Sequence, residues 1–406
     1  MQTTQPELLV KATCAACGLL CDDVALYSHG NTVTLSPATT CQKSIAFFAQ
    51  LPQAISPTIA GKPVPLAQAV QHAAALISAS QQPLISGLST DLHGFRAAYQ
   101  LAQTAKADLA HMNASSTWRN VKVLQSTGWQ TTTLTEVRNR ADVIVCIGTD
   151  VVTHNPRFFE RMVWPQQAMF VDNNAREVIY LGGEHLNTQA GISPTGKLPT
   201  VLPCKVTDLP EVTSALHALV LGKTLKVQQV AGIALADLMQ VAERLKQAKY
   251  AVLLWVAKEL DFPHAELTIQ QITQTVTALN ETTRAGALAL GGSDGDTTVN
   301  YAHTWLSGLA IPQETLPAHD ALVWVNSFSP TKAVPVTHAP LMVLGHPATQ
   351  FDQQPDVFIP IATPGLDCTG TLFRVDSSVV LPLKQLYQSN YPTLAQVLAQ
   401  IEGLLA

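Results

Sequence analysis

The segment RADVIVCIGTD, residues 140–150, decides the fold. From Val143 to Ile147 every side chain is apolar, and Gly148 ends the run. A strand with one wet face would alternate apolar and polar residues. An unbroken run of this length instead fits a strand covered on both faces, as in a parallel sheet. Runs of this kind recur along the chain: PLISGLS (83–89), ADLAHMN (107–113), AMFVDNN (168–174), YAVLLWVA (250–257), GALALG (286–291), ALVWVNS (321–327), PLMVLGH (340–346) and PDVFIPIA (355–362) all read as strands. Segments of helical period stand among them, at 66–80, 92–105, 231–248 and 268–283. Alternating strands and helices predict an α/β fold with doubly wound sheets.

The first sixty residues read differently. DDVALYSHGNTVTLS (22–36) alternates on both sides of His29-Gly30-Asn31, the signal of a hairpin. A small β-rich domain carrying four clustered cysteines is therefore expected at 1–62, closed by Pro57, Pro63 and Pro65. Two Rossmann-like domains are expected at 63–204 and 205–365. The tail, 366–406, reads as a hairpin (369–383) followed by a helix (391–405).

A chain of 406 residues exceeds one ordinary core, which agrees with several domains. Charged residues make up 13%, about half the usual share. Such a surface is expected to be covered in part by partner chains; a Gln/Thr/Ser-rich surface that stays soluble without charge is the plainer reading. The net charge of −5 and the lack of a basic run argue against nucleic-acid binding. MQTTQPELLVK (1–11) lacks the pattern of a signal peptide, and no apolar run reaches the ~18 residues of a membrane span. A soluble, cytoplasmic protein is expected. Thiols stay reduced there, so the seven cysteines are not read as a disulfide framework.

Cys14, Cys17 and Cys21 give C-x2-C-x3-C, and Cys41 follows after nineteen residues. Three thiolates on a tight loop and a fourth returning to it can hold a cubane cluster, each iron taking one thiolate. Structural zinc more often uses two separated C-x2-C pairs, and only one is present. Thiols that bind no metal are the third reading. Cys146, Cys204 and Cys368 lie in apolar or strand contexts and read as core. GGSDGD (291–296) follows a strand and reads as a turn, with backbone that could approach a ligand. His154-Asn155-Pro156-Arg157 follows a buried strand, where Arg157 and Arg161 could hold an anion or pair with a neighbouring chain. No G-x-G-x-x-G, Walker A, H-E-x-x-H or G-x-S-x-G occurs.

Three pieces in order resemble the beta subunit of formylmethanofuran dehydrogenase, within the molybdopterin and tungstopterin oxidoreductases: the cysteine motif with Asp22-Asp23, EVRNRADVIVCIGTDVVTHNPRFFERM (136–162), and PDVFIPIATPGLDCTGTLFRVDSSVVLPL (355–383). The resemblance implies a [4Fe–4S] cluster on Cys14, Cys17, Cys21 and Cys41. It also implies two pterins holding tungsten or molybdenum, ligated by a cysteine. The matching region, HMNASSTWRNVKVLQSTGW (111–129), has no cysteine, and the ligand position falls at Ser116 or Thr117. A hydroxyl is a poor substitute for a thiolate on a soft centre, and Trp118 and Arg119 crowd the place.

The sequence is most similar to the beta subunit of the bacterial formyltransferase/hydrolase complex, whose reactive sites lie on other subunits. The resemblance then implies a subunit without redox activity and without the pterin, a scaffold for those partners in tetrahydromethanopterin-linked one-carbon oxidation. The cluster would be structural or lost. The competing reading is an active molybdenum or tungsten-pterin dehydrogenase subunit, and a more distant one is a stand-alone metal-binding protein.

Overall fold

The computed structural model describes residues 9–29, 32–50, 54–183, 186–311 and 316–405. The hairpin turn expected at Gly30-Asn31 and the stretch 1–8 lie outside the described residues. Contacts divide the chain into two units: Met1–Ser115 with Gly292–Arg374 and Val379–Ala406, and Ser116–Gly291 with Val375–Ser378.

The first unit holds a seven-stranded sheet. Its five parallel strands are Pro83–Ser89, Asp108–His111, Ala321–Asn326, Leu341–Gly345 and Val357–Pro360. Numbered along the chain they lie in the order 2-1-3-4-5, one of the two common doubly wound arrangements. Thr58–Ile59 and Lys62–Pro63 extend the fifth strand's edge antiparallel. The strands are apolar throughout because both faces are covered; in Pro83–Ser89 all seven residues are buried. Helices Leu66–Ala79, Leu92–Ala105 and Leu394–Glu402 pack into the core on one face, with Phe95, Leu101, Val397 and Leu398 completely or almost completely buried. Asp91 starts the Leu92–Ala105 helix, its carboxylate accepting from the amides of His93 and Gly94 at 3.2 and 3.0 Å. Thr393 and Gln396 form a reciprocal cap on the last helix. A three-stranded antiparallel sheet (Leu9–Ala12, Val24–His29, Thr32–Leu35) and the hairpin Gly370–Phe373 with Val380–Leu383 complete this unit.

The second unit holds a wholly parallel five-stranded sheet of Val143–Ile147, Glu177–Leu181, Thr200–Leu202, Ala251–Val256 and Ala285–Leu290. Its order is 3-2-1-4-5, the Rossmann arrangement. Helices Leu209–Val220, Leu235–Gln247 and Ala265–Leu279 cover it, and Trp255 is its largest fully buried side chain. The fold is thus α/β with two doubly wound sheets.

Two expectations meet a different arrangement. The segments 63–204 and 205–365 each supply strands to both sheets, because the chain leaves the first sheet after His111 and returns to it only at Ala321. AMFVDNN (168–174) is not a strand. Met169 and Phe170 are 73% and 59% exposed, Asp172 starts a 3-10 turn over Asn173–Ala175, and the strand is Glu177–Leu181 just beyond. Phe170 lies under the Arg140 guanidinium, 4.2 Å from ring centroid to carbon, so its apolar face has a partner without entering a sheet.

Candidate functional site

Cys14, Cys17 and Cys21 lie on the loop between Leu9–Ala12 and Val24–His29. The Cys14 amide donates to the Cys21 carbonyl at 2.9 Å and the Leu20 amide to the Cys17 carbonyl at 3.1 Å, folding the loop back on itself. Leu20 takes a left-handed backbone, φ 44°, at that turn. Cys41 caps the helix Gln42–Phe48, whose Ser44 hydroxyl donates to Cys14 Sγ at 3.3 Å. All four cysteines are buried and none is in a disulfide. They are electrostatic neighbours: Cys17 and Cys21 act on Cys14, and Cys21 and Cys41 act on Cys17. Burial pushes the Cys14 thiol up to about 12 and the Cys17 thiol up to about 11. Cys146 and Cys204 are core residues, as expected, while Cys368 is half-buried.

Among the described residues no three His, Cys, Asp or Glu side chains are grouped to hold a single metal ion. A cubane cluster asks for a different arrangement, four thiols standing apart with one on each iron. The donor set here, four buried thiols gathered from a hairpin loop and a helix cap, fits that group in its chemistry.

The loop GGSDGD packs beside the cysteine loop. Ala15, Gly18 and Leu20 share with Gly292, Gly295 and Asp296 a cavity of about 10 Å³, room for about one water. Gly295 and its neighbours start the helix Asp296–Ser307, so this loop is a turn, as read from the sequence. His111 ends its strand here. Its Nδ1 accepts from the Asn113 amide at 3.0 Å, leaving Nε2 to donate to the Asp294 carbonyl at 3.1 Å. Burial pushes the His111 imidazole down to about 4. Burial, with Asp294 adding to it, raises Asp296 to about 7, and Lys332 pairs with Asp294 at 3.1 Å.

Doubly wound sheets take ligands at the carboxyl ends of the strands where the order reverses. In the second unit that point lies between Val143–Ile147 and Ala251–Val256, and the chain's own side chains fill it. A Cβ on Gly148 would collide with Leu209 Cδ1 and lie 3.2 Å from Leu260 Cδ2, and one on Gly182 would lie 2.5 Å from Leu209 Cδ2. Arg119 donates to the Ala257 carbonyl at 2.8 Å and pairs with Asp261. Glu259 accepts from the Asp150 amide at 3.3 Å and contacts His154 Nε2 at 2.6 Å. Asn155 and Gly291 exchange two hydrogen bonds of 3.0 Å. Large side chains of the chain itself thus stand at the strand ends of the second unit. The corresponding point of the first unit, between Pro83–Ser89 and Ala321–Asn326, keeps polar capacity: the hydroxyls of Ser86, Ser89, Thr90 and Ser327 are buried without a partner among the described residues.

Ser116 and Thr117 are half-buried on the helix Ala114–Ser126. Further along this helix, Arg119 and Asn120 fasten it to the second unit's sheet, Asn120 accepting from Trp255 Nε1 at 2.9 Å. Arg157 pairs with Glu160 at 2.6 Å, three residues on in the same segment. Sequence reasoning missed Leu209, Glu259 and Leu260. The one signal pointing toward them was Gly148, a glycine ending a buried strand, which marks a close approach without naming the approaching side chain.

Two doubly wound units with a four-thiol lobe place the chain in the molybdopterin-oxidoreductase-like fold class. The acetylene hydratase of Pelobacter acetylenicus shares it at TM-score 0.60 and 9% identity, covering 97% of this chain and 69% of that one. In sequence the chain is similar to the beta subunits of formylmethanofuran dehydrogenase and of the formyltransferase/hydrolase complex. It is 25% identical over 406 aligned residues to the beta subunit of the tungsten-containing formylmethanofuran dehydrogenase 2 of Methanocaldococcus jannaschii, covering 91% of this chain and 92% of the relative. It is 29% identical over 243 residues to the beta subunit of the formyltransferase/hydrolase complex of Methylorubrum extorquens, covering 60% and 61%. The crystal structure of that complex with methylofuran holds a chain superposing at TM-score 0.68 and 22% identity, covering 86% of this chain and 98% of that one. No family model matches the chain.

Proposed function

We propose that this chain is the beta subunit of a cytoplasmic formyltransferase/hydrolase complex, a scaffold that holds the subunits between which a formyl group is transferred and hydrolysed. The observation that carries this reading is the packed strand ends of the second unit, in a chain similar to such a beta subunit over 60% of its length. Ser116 and Thr117 in place of a thiol, and Leu209 and Leu260 packed against a strand-end glycine, support a reading without a bis-pterin metal centre. Partner subunits then carry the reactive groups. Sparse charge supports extensive partner contact, as does the exposed aromatic and aliphatic set Tyr301, Trp305, Leu306 and Leu309.

Cys14, Cys17, Cys21 and Cys41 would hold a [4Fe–4S] cluster, which here supplies cross-linking of the N-terminal lobe. A hydrolytic scaffold needs no electron path. The test is purification of the intact complex without oxygen, with metal analysis and a formyl-transfer assay. Co-purifying partner subunits, formate release without an electron acceptor, and absence of stoichiometric molybdenum or tungsten are expected. Iron and sulfide near four per chain support the cluster.

The second reading, an active dehydrogenase subunit, is favoured by the name of the archaeal relative that aligns with 91% of the chain. Stoichiometric tungsten or molybdenum in that preparation would establish it and sink the scaffold reading.

A further inference from the structure

The amino-terminal edge of the second unit's sheet, opposite the edge where this fold takes its ligands, carries a cavity of about 60 Å³. Arg176, Glu177, Ser193, Lys197, Thr200 and Arg244 are among the residues that line it. Arg176 is 1% exposed. Its guanidinium donates to Asn173 Oδ1 at 3.1 Å and to the carbonyls of Val137, Met162 and Arg138, all neutral acceptors. Among the described residues no carboxylate touches this buried charge; Asp142 acts on it only through space. Lys197 and Arg244 both turn to one oxygen, Glu177 Oε1. Two cations thus share one carboxylate oxygen, and Arg176 lines the same cavity. Lys197 uses one of its three N–H donors on Glu177 and Arg244 one of its five.

The Lys197 position is built rather than incidental. The turn Ser193–Lys197 is closed by the Ser193 amide on the Lys197 carbonyl, the Gly196 amide on the Ser193 carbonyl, and the Lys197 amide on Ser193 Oγ, each 2.9 Å. Gly196 has φ +86° there, a conformation that favours glycine. The cavity has room for about four waters, the size of an anion of three to five heavy atoms.

We propose that this cavity is a binding site for a small oxyanion, a monocarboxylate or inorganic phosphate, held by Lys197 and Arg244 beside the buried charge of Arg176. Lys197 and Arg244 bring two positive charges to the one carboxylate of Glu177, and the anion offsets the remaining charge. A ligand of this size, bound at the edge away from the strand ends, is separate from any pterin or cluster chemistry.

The test is thermal unfolding of the full chain titrated with sodium formate, with acetate and with inorganic phosphate, each at ionic strength fixed by sodium chloride. A saturable rise in midpoint is expected with at least one of them, and the responding arm distinguishes a carboxylate from a phosphate site. The double variant Lys197→Gln/Arg244→Gln, changed only at half-exposed side chains, should require at least about tenfold more anion for the same rise. A wild-type midpoint that follows ionic strength alone overturns the proposal. So does an undiminished anion response in the double variant.

Discussion

Filling of the second unit's crevice can be tested by a double-mutant cycle on Gly148 and Leu209. Gly148 has φ +56°, and an added Cβ there collides with Leu209 Cδ1. Gly148→Ala should therefore cost about 1–2 kcal/mol for the left-handed backbone and about 1–3 kcal/mol for overpacking. Leu209 is 0% exposed, so Leu209→Ala alone should cost about 2–5 kcal/mol, set by how far the cavity collapses. In the double variant the colliding methyl is gone. Leu260 Cδ2, at 3.2 Å, needs to move only a few tenths of an ångström. The overpacking share then vanishes and the backbone share remains. The double variant should be more stable than the sum of the singles by about 1–3 kcal/mol. Urea unfolding followed by tryptophan fluorescence reports on this unit through Trp129 and Trp255, which pack edge to face at 5.4 Å within it, with Trp305→Phe/Trp324→Phe as the background that silences the first unit's tryptophans. Additivity within about 0.5 kcal/mol would show that Leu209 does not occupy the space beside Gly148, and the sealed crevice would fall with it.

Burial holds His111 and His346 neutral, with values of about 4 against 6.5 for an unfolded chain. Each contributes stability that is complete above pH 6.5 and declines by about 3 kcal/mol as pH falls toward 4. Asp296, raised to about 7, acts in the opposite sense over this range, so the readout is the difference between wild type and His346→Gln: in denaturant titrations from pH 7 to 4 it should change by about 3 kcal/mol, and a constant difference would refute the assignment. Asp91→Ala should cost about 1–3 kcal/mol, because the carboxylate caps one helix and also accepts from the Thr371 amide at 3.1 Å; a loss below about 0.5 kcal/mol in chemical unfolding would contradict this. Trp305 and Leu309 are 64% and 66% exposed, so Trp305→Glu/Leu309→Glu should leave the unfolding midpoint nearly unchanged while abolishing co-purification of partner subunits. Full retention of partners would remove this face from the proposed assembly surface.

Strand positions were legible where burial on both faces leaves unbroken apolar runs, as in Val143–Ile147, Ala251–Val256 and Ala321–Asn326. AMFVDNN misled because its composition matches a strand while Asp172 and the two asparagines favour a turn, and a cation over Phe170 stabilises the exposed ring. Sheet membership was not legible, since a buried parallel strand carries no mark of which neighbour it will meet. At the site, the sequence located the cysteine loop and the Ser116–Thr117 segment. It could not place Leu209 on Gly148, because that contact joins a strand end to a helix start some sixty residues later, and neither residue type is unusual where it stands.

The interrupted first sheet has a consequence for synthesis. Pro83–Ser89 and Asp108–His111 emerge early, yet Pro83–Ser89 pairs on its inner side with Ala321–Asn326, more than two hundred residues later. Every strand of the second sheet falls inside that interval, between Val143 and Leu290. On a ribosome the later-numbered unit can therefore close first, while the earlier one waits with two unsupported strands and their apolar faces open. The amino-terminal third of the nascent chain is where a chaperone would be needed longest, and a truncation before residue 321 should yield a folded second unit tethered to an aggregation-prone remainder.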